Sequence, residues 1–263
     1  MLPSALNRVE EIIAGAGGKR LAIFLDYDGT LTPIVSRPEN ALLSDSMRQA
    51  LQELSARAPV AILSGRDLND VRHRVDVDGI VYAGSHGFDI AGPHGLHRQV
   101  ATEFLPNLDA AQNELHDALD GVPGAQVERK HFSVAAHYRN VRENDVPKIQ
   151  RVVDTVAGRY RELRRIDGKK VYELLPATDW DKGKAVIWLL ETWGLNRANL
   201  RPIYIGDDTT DEDAFRALKQ VGVGIRVSEE SQPTAATYSL KDPAEVERFL
   251  RALTAHRART DSD

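Results

Sequence analysis

The chain of 263 residues has no cysteine. Disulfide frameworks, thiolate zinc sites and thiol catalysis are therefore excluded, and a reducing, cytoplasmic setting is expected. Positive charge is not in excess. Lysine and arginine number 34 against 39 aspartates and glutamates, a formal net charge of -5. A sequence-independent nucleic-acid binder carries a basic field, so that class is set aside. No apolar run approaches the ~18 residues that a membrane helix needs. The stretch Met1-Leu2-Pro3-Ser4-Ala5-Leu6-Asn7 lacks a basic segment followed by an apolar one, so no signal peptide is expected. Tryptophan occurs three times, and Trp180, Trp188 and Trp193 read as packing residues rather than sugar platforms. Internal repeats and low-complexity segments are also missing.

What is present is ordinary for a globular protein: 42% hydrophobic and 28% charged residues, enough for a sizeable core. One stretch stands out. Leu21-Ala22-Ile23-Phe24-Leu25 runs directly into Asp26-Tyr27-Asp28-Gly29-Thr30. A short continuous apolar run suits a strand buried on both faces of a parallel sheet. Carboxylates just past its end sit where open α/β sheets place their chemistry. If the extended chain continues through the motif, Asp26 and Asp28 share one side of it. Two like charges there repel unless a cation or a shared proton separates them. A calcium loop fails on spacing, because Leu31 stands where its glycine belongs and Arg37 where its closing glutamate belongs.

In chain order, Leu2, Leu6, Val9 and Ile13 form one helical stripe, ended by Gly15, Gly17 and Gly18. Met47, Ala50, Leu51 and Leu54 mark a helix with Ser44 as N-cap. Strands follow at Val60–Leu63 and Ile80–Ala83, with a short helix from Asp67 between them. This β-α-β-α-β rhythm belongs to a parallel, doubly wound sheet. Near residue 100 the rhythm changes. A helix at 108–119, strands at 125–130 and 133–139, a helix at 145–160 and strands at 162–166 and 170–175 follow, the last two split by a turn at Asp167-Gly168. That order predicts a small α+β module with an antiparallel sheet. Its polar residues alternate, Glu128 with Lys130, and Ser133 with His137 and Arg139. From Pro176 the first rhythm resumes. A helix is expected over 183–193 with Gly194 beyond it, and strands at 202–205 and 221–225. Thr209 and Glu212 have capping-box spacing, Val246, Phe249, Leu250 and Leu253 form a last stripe, and Arg257–Asp263 reads as a frayed tail. The expected organisation is a core of residues 1–103 and 176–263 around an insertion at 104–175.

Three expected core strands end in polar motifs: Asp26-Tyr27-Asp28-Gly29-Thr30, Ser64-Gly65-Arg66 and Gly206-Asp207-Asp208. A fourth motif, Asp181-Lys182-Gly183-Lys184, opens the helix before the last of these. Asp26, Asp28 and Asp207 offer hard oxygen ligands of the kind magnesium prefers. Ser64 offers a hydroxyl donor and Lys182 a fixed positive charge. Such a set can hold a dianionic phosphate against a carboxylate, and phosphate-ester hydrolysis needs that degree of charge neutralisation. A carboxylate nucleophile divides the reaction into two steps, and a second carboxyl protonates the leaving oxygen and then activates water. The bland readings are a turn pair for Asp26 and Asp28, an N-cap for Ser64, a solvated lysine for Lys182 and a helix-entry pair for Asp207 and Asp208.

In order along the chain, these four motifs resemble those of the haloacid dehalogenase phosphatase superfamily. More narrowly the chain resembles the trehalose-6-phosphate phosphatase family. That resemblance rests on Leu25–Pro33, Ser64-Gly65-Arg66, Gly84-Ser85-His86-Gly87, Val127–Lys130, His137-Tyr138-Arg139, Glu173–Pro176, Trp180–Ala185 and Gly206–Glu212. It implies a Rossmann-like core with an inserted α+β cap that closes over the sugar. It implies magnesium-dependent hydrolysis of trehalose 6-phosphate to trehalose and phosphate. By the same resemblance Asp26 is the nucleophile, Asp28 the general acid/base, and Ser64 and Lys182 bind the phosphoryl group. Magnesium is held by Asp26, the Asp28 backbone carbonyl and Asp207, with Asp208 and Asp211 acting through water or orienting the ligands. Glu128, Lys130 and Glu173 bind the sugar, and His86 lies near the phosphate or the sugar. The expected partner is a small sugar phosphate, the expected state a monomer. The rivals are a phosphatase for sucrose phosphate or a glycosyl-phosphoglycerate, a phosphorylatable signalling module, and a non-catalytic sugar-phosphate sensor.

Overall fold

In the computed structural model, residues 2–193, 199–230 and 232–260 are described, with side chains given as far as 256. Chain contacts divide it into two units, residues 1–97 with 181–263, and residues 98–180.

The first unit begins with a 3-10 turn, Leu6–Arg8, and α1 (Val9–Ala14). The stripe from Leu2 is thus shorter than expected. Ser4 pairs with Ser239 instead, in a single parallel bridge made by the Ser239 N–H to the Pro3 carbonyl and the Ala5 N–H to the Ser239 carbonyl. Then come β1 (Arg20–Leu25), α2 (Asp45–Ser55), β2 (Val60–Leu63), α3 (Leu68–Val75) and β3 (Val81–Gly84). Ser44 Oγ accepts from the Met47 N–H at 3.1 Å, the expected cap of α2. Two short strands, β4 (Asp89–Ala91) and β5 (His97–Gln99), are too brief to show a period in the sequence.

The second unit holds α4 (Leu105–Leu119), β6 (Gln126–Lys130), β7 (Ser133–His137), α5 (Val146–Arg159), β8 (Leu163–Gly168) and β9 (Val171–Pro176). Its sheet is antiparallel, in the order β6-β7-β9-β8. The turn between β8 and β9 falls at Lys169-Lys170, two residues later than expected, since Asp167 and Gly168 still pair with Tyr172 and Val171. Val134, Ala136, Tyr172 and Leu174 join Leu108, Leu115, Ile149 and Val153 of the helices in one core. Alternation then sends Glu128, Lys130, Ser133, His137 and Glu173 to the sheet's other face.

Back in the first unit are α6 (Lys182–Thr192), β10 (Leu200–Gly206), α7 (Asp211–Leu218), β11 (Val223–Val227), β12 (Tyr238–Leu240) and α8 (Pro243–Thr260). Val221 and Gly222 close the end of α7 through the Leu218 carbonyl, which moves β11 two residues beyond the expected start. The tail expected from Arg257 is helical to Thr260, while Gly194 and residues 261–263 lie outside the described residues. The main sheet runs β12-β11-β10-β1-β2-β3-β4-β5, parallel from β12 to β3 and antiparallel at β4. It is the doubly wound, mostly parallel sheet expected from the sequence. β1 lies between β10 and β2, so the chain order reverses at β1. Ligand crevices in such sheets open at that point, outside the carboxyl ends of the strands. Among the described residues, no helix is long and apolar enough to cross a membrane.

Candidate active site

β1 and β10 are parallel neighbours in register, Leu25 beside Ile205. The Asp26 N–H donates to the Ile205 carbonyl at 2.9 Å, one bond past the strand. The chain then folds tightly. Leu31 and Thr32 N–H both donate to the Tyr27 carbonyl, and Gly29 N–H donates to Thr32. The extension therefore stops at Asp26, and the two carboxylates find separate partners instead of sharing one side. Gly29 has φ +86°, and a Cβ there would lie 2.1 Å from Asp207 Oδ2. Only glycine fits, and its backbone seats the Asp207 carboxylate directly against the β1 turn.

Lys182, the first residue of α6, is buried; Asp181 caps that helix by accepting from the Lys184 N–H at 2.9 Å. Lys182 Nζ donates to Asp26 Oδ1 and to Asp211 Oδ1, both at 2.7 Å. Asp211 Oδ1 also accepts from the Tyr204 hydroxyl at 2.7 Å, and its Oδ2 accepts from the Asp207 and Asp208 N–H groups at 2.9 Å each. Burial opposes the lysine's charge, but Asp211 and Asp26 outweigh it and hold the ammonium well above its usual range. Burial pushes Asp26 up, as do Asp211 and Asp207, against the pull of Lys182.

Asp26, Asp207 and Asp211 each bring one carboxylate oxygen to within 4.8 Å of the others, all three buried. Three buried carboxylates face one buried ammonium, so the site is short of positive charge. A hard divalent cation would supply it, and the donor set suits one. Asp211 already accepts at both oxygens, so it would orient rather than ligate, and Asp26 and Asp207 would be the ligands for such an ion. Asp208 turns back on its own loop, accepting from the Thr209 N–H at 2.7 Å. The expected capping box does not form. Asp211 takes the N–H groups that lead into α7, and Glu212 Oε1 accepts from Arg226 Nη1 at 2.8 Å.

Ser64, just past β2, is buried, and its Oγ accepts from the Arg66 N–H at 3.1 Å. The His86 imidazole lies against the same turn, where a Cβ on Gly65 would come within 2.8 Å of the ring's Cε1. Ser85 and His86 both hold left-handed backbone, φ +48° and +58°. Two such residues in succession cost on the order of 1–3 kcal/mol each, and strain of this kind clusters at functional sites. Asp28 is held by the Arg66 guanidinium, Nε to Oδ2 and Nη2 to Oδ1, each at 2.7 Å. In the second unit, Glu128 Oε2 meets His137 Nε2 at 2.7 Å, and that bond, more than burial opposes it, lowers the carboxyl's pKa. Glu173 Oε1 accepts from Lys130 Nζ at 2.9 Å and from Ser133 Oγ at 2.5 Å.

The structure thus gathers Asp26, Asp207, Asp211 and Lys182 in one cluster, stacks His86 on the Ser64 turn, and joins Lys130 to Glu173. Arg66 and Tyr204 were not singled out from the sequence. Tyr204 left a signal, a hydroxyl inside the aliphatic strand Pro202-Ile203-Tyr204-Ile205, since a buried tyrosine needs a partner for its O–H. Arg66 stood at the end of the Ser64-Gly65-Arg66 motif, but its partners Asp28 and Asp70 are fixed only by the fold.

An open, mostly parallel sheet with an acid–lysine cluster at the carboxyl ends of β1 and β10, in a chain that also carries a separate antiparallel α+β unit, defines a haloacid dehalogenase-type hydrolase. A Candida albicans trehalose-6-phosphate phosphatase C-terminal domain shares the fold, with a TM-score of 0.85, 25% identity, and 97% of this chain and 99% of that one covered. This chain is 44% identical over 278 residues to probable trehalose-phosphate phosphatase 2 of Oryza sativa subsp. japonica, covering 96% of this chain and 73% of the relative. It is 42% identical over 271 residues to trehalose-phosphate phosphatase B of Arabidopsis thaliana, covering 98% and 72%. The trehalose-phosphatase family matches residues 24–244, and the chain belongs to that family of phosphoric monoester hydrolases.

Proposed function

We propose that the protein hydrolyses trehalose 6-phosphate to trehalose and inorganic phosphate, with magnesium, through a phosphoryl group carried on Asp26. The observation that carries this reading is the Lys182 bridge between Asp26 Oδ1 and Asp211 Oδ1. It orients the Asp26 carboxylate and leaves Oδ2 to attack phosphorus. As that bond forms, the bond from phosphorus to the sugar oxygen breaks, and the oxygen takes a proton from the Asp28 carboxyl. Asp28, now a carboxylate, accepts a proton from water. The water oxygen attacks phosphorus, the bond to Asp26 breaks, and phosphate leaves with the Asp26 carboxylate restored. Lys182 and the Ser64 hydroxyl neutralise the phosphoryl oxygens. Magnesium, held by Asp26, the Asp28 carbonyl and Asp207, supplies further charge neutralisation when bound. Asp208 and Asp211 orient the ligands.

Residues 104–175 act as the cap, and Glu128, Lys130 and Glu173 bind the sugar hydroxyls, with His86 at the phosphate end. The Lys130–Glu173 pair supports this, since hydroxyls need both donors and acceptors. The partner is a small sugar phosphate and the working form a cytoplasmic monomer, a reading that the absence of cysteine and the net charge of -5 support. The test is phosphate release from trehalose 6-phosphate beside sucrose phosphate and a glycosyl-phosphoglycerate. Turnover of the first, lost with EDTA, restored by magnesium and abolished in a folded Asp26→Asn variant, is the expected result. Faster turnover of another sugar phosphate overturns the substrate, and activity in Asp26→Asn overturns the nucleophile.

A further inference from the structure

Asp28 belongs to a chain of alternating carboxylates and guanidiniums. Arg66 takes both Asp28 oxygens, at 2.7 Å each. The same guanidinium donates through Nη1 to Asp70 Oδ2 at 2.9 Å and through Nη2 to the Pro38 carbonyl at 2.8 Å. Asp70 accepts in turn from Arg74 Nε at 2.8 and 2.9 Å. Arg74 Nη1 reaches the Glu39 and Ala41 carbonyls, and the Tyr27 hydroxyl also donates to Ala41, at 2.8 Å. Arg66 Cζ lies 5.4 Å from the centre of the Tyr27 ring. The backbone of Arg66 is fixed as firmly as its side chain. Its N–H meets Ser64 Oγ, and its carbonyl accepts from the Ser85 N–H at 2.7 Å. The guanidinium that holds Asp28 therefore hangs from the turn that carries Ser64.

A guanidinium fork on a carboxylate sets the plane and the rotamer of the acid, which a lysine's point charge does not. A carboxyl group with a proton on one oxygen cannot accept from the fork at both. We propose that Arg66 is the positioning residue for Asp28, orienting its carboxylate by the fork and releasing one of its oxygens when Asp28 carries the proton for the leaving sugar oxygen. The proposal rests on the acid/base reading of Asp28. Asp70 and the Pro38 carbonyl make the release tolerable. With Asp28 turned away, the half-buried cation keeps a carboxylate and a carbonyl, so no unpaired charge is left. Burial works against the Arg66 charge, but Asp28 and Asp70 more than offset it.

The test uses Arg66→Ala, Arg66→Lys, Asp28→Asn and the doubles that pair each Arg66 change with Asp28→Asn, on trehalose 6-phosphate and on p-nitrophenyl phosphate. Arg66→Ala is expected to lower kcat on the sugar phosphate at least ~10-fold while KM moves less than ~3-fold. Arg66→Lys is expected to recover only part of that loss. Adding either change to Asp28→Asn leaves kcat within ~2-fold of Asp28→Asn alone, because a residue that acts through Asp28 then has nothing to act on. With p-nitrophenyl phosphate, whose leaving group needs no proton, a rapid burst of about one nitrophenolate per enzyme persists in Arg66→Ala before a slowed steady state. Additive losses in the doubles, or an unchanged kcat in Arg66→Ala, overturn the proposal. Circular dichroism and thermal melting check the fold. If Arg66→Ala fails to fold, Arg66→Lys carries the cycle. If Asp28→Asn alone keeps full turnover, the acid/base reading has failed and takes this proposal with it. If Asp28→Asn is inactive and the losses add, only the positioning role has failed.

Discussion

At the scale of single residues, Gly29 bears directly on the Asp207 carboxylate. Its left-handed backbone and the 2.1 Å approach of a would-be Cβ to Asp207 Oδ2 leave no room for a side chain. Gly29→Ala is expected to destabilise the protein by about 1–3 kcal/mol in urea unfolding, from backbone strain alone. Because the added methyl must also push Asp207 aside, the magnesium concentration for half-maximal activity should rise. An unchanged magnesium requirement would argue that Asp207 does not serve the metal. The same scale separates Asp26 from Asp28. They are two positions apart and of one type, yet one meets a buried lysine and the other an arginine fork. In the proposed mechanism those surroundings would divide the roles.

At the scale of elements, α3 does more than cover the sheet. Asp70 and Arg74 stand one helical turn apart and accept and donate across that turn, and Arg66 joins them from the preceding loop. Burial raises the Asp70 carboxyl, but hydrogen bonds from Arg74 and Arg66 outweigh it and hold the pKa below its ordinary value. A depressed folded-state pKa contributes stability that is fully present above the unfolded value and is lost as pH falls through the folded one. Asp70→Asn should therefore lower the melting temperature at pH 7, and the gap to the parent protein should close in acid, below the ordinary carboxylate range. A gap that stays constant into acid would show that the substitution acts through packing and not through the charge. The loop at 38–41, pinned by Arg66 and Arg74, should become more open to proteolysis in the same variant.

At the scale of the whole molecule, each unit has its own core, and the acid cluster belongs to the first. Two adjacent parallel strands bring Asp26 and Asp207 together, and the first turns of two helices add Lys182 and Asp211. Gathering three carboxylates in a buried space opposes folding unless positive charge enters with them. Magnesium should therefore raise the melting temperature of the intact chain, by an amount that grows with its concentration. At about 100 times the dissociation constant the gain is ~2.7 kcal/mol. EDTA should reverse it, and Asp207→Asn should remove it without unfolding the protein. Identical melting curves with EDTA and with millimolar magnesium would count against a metal in this cluster.

The sequence alone determined the alternation of strands and helices, the antiparallel module within it, and the strand ends where the chemistry collects. Burial on both faces of a sheet demands continuous apolar runs such as Leu21–Leu25, and polar residues that interrupt such runs mark where a strand meets solvent or a ligand. Short strands such as β4, and β5 and β12 at the sheet's edges, left no such pattern, because three residues cannot show a period. Only the tertiary structure decided which acid each base holds. Lys182 reaches across 156 positions to Asp26, and Arg66 across 38 to Asp28. Those pairings depend on the order of strands in the sheet and on the tight turn after Asp26, and partners so distant leave no local periodicity in a single chain from which they could be read.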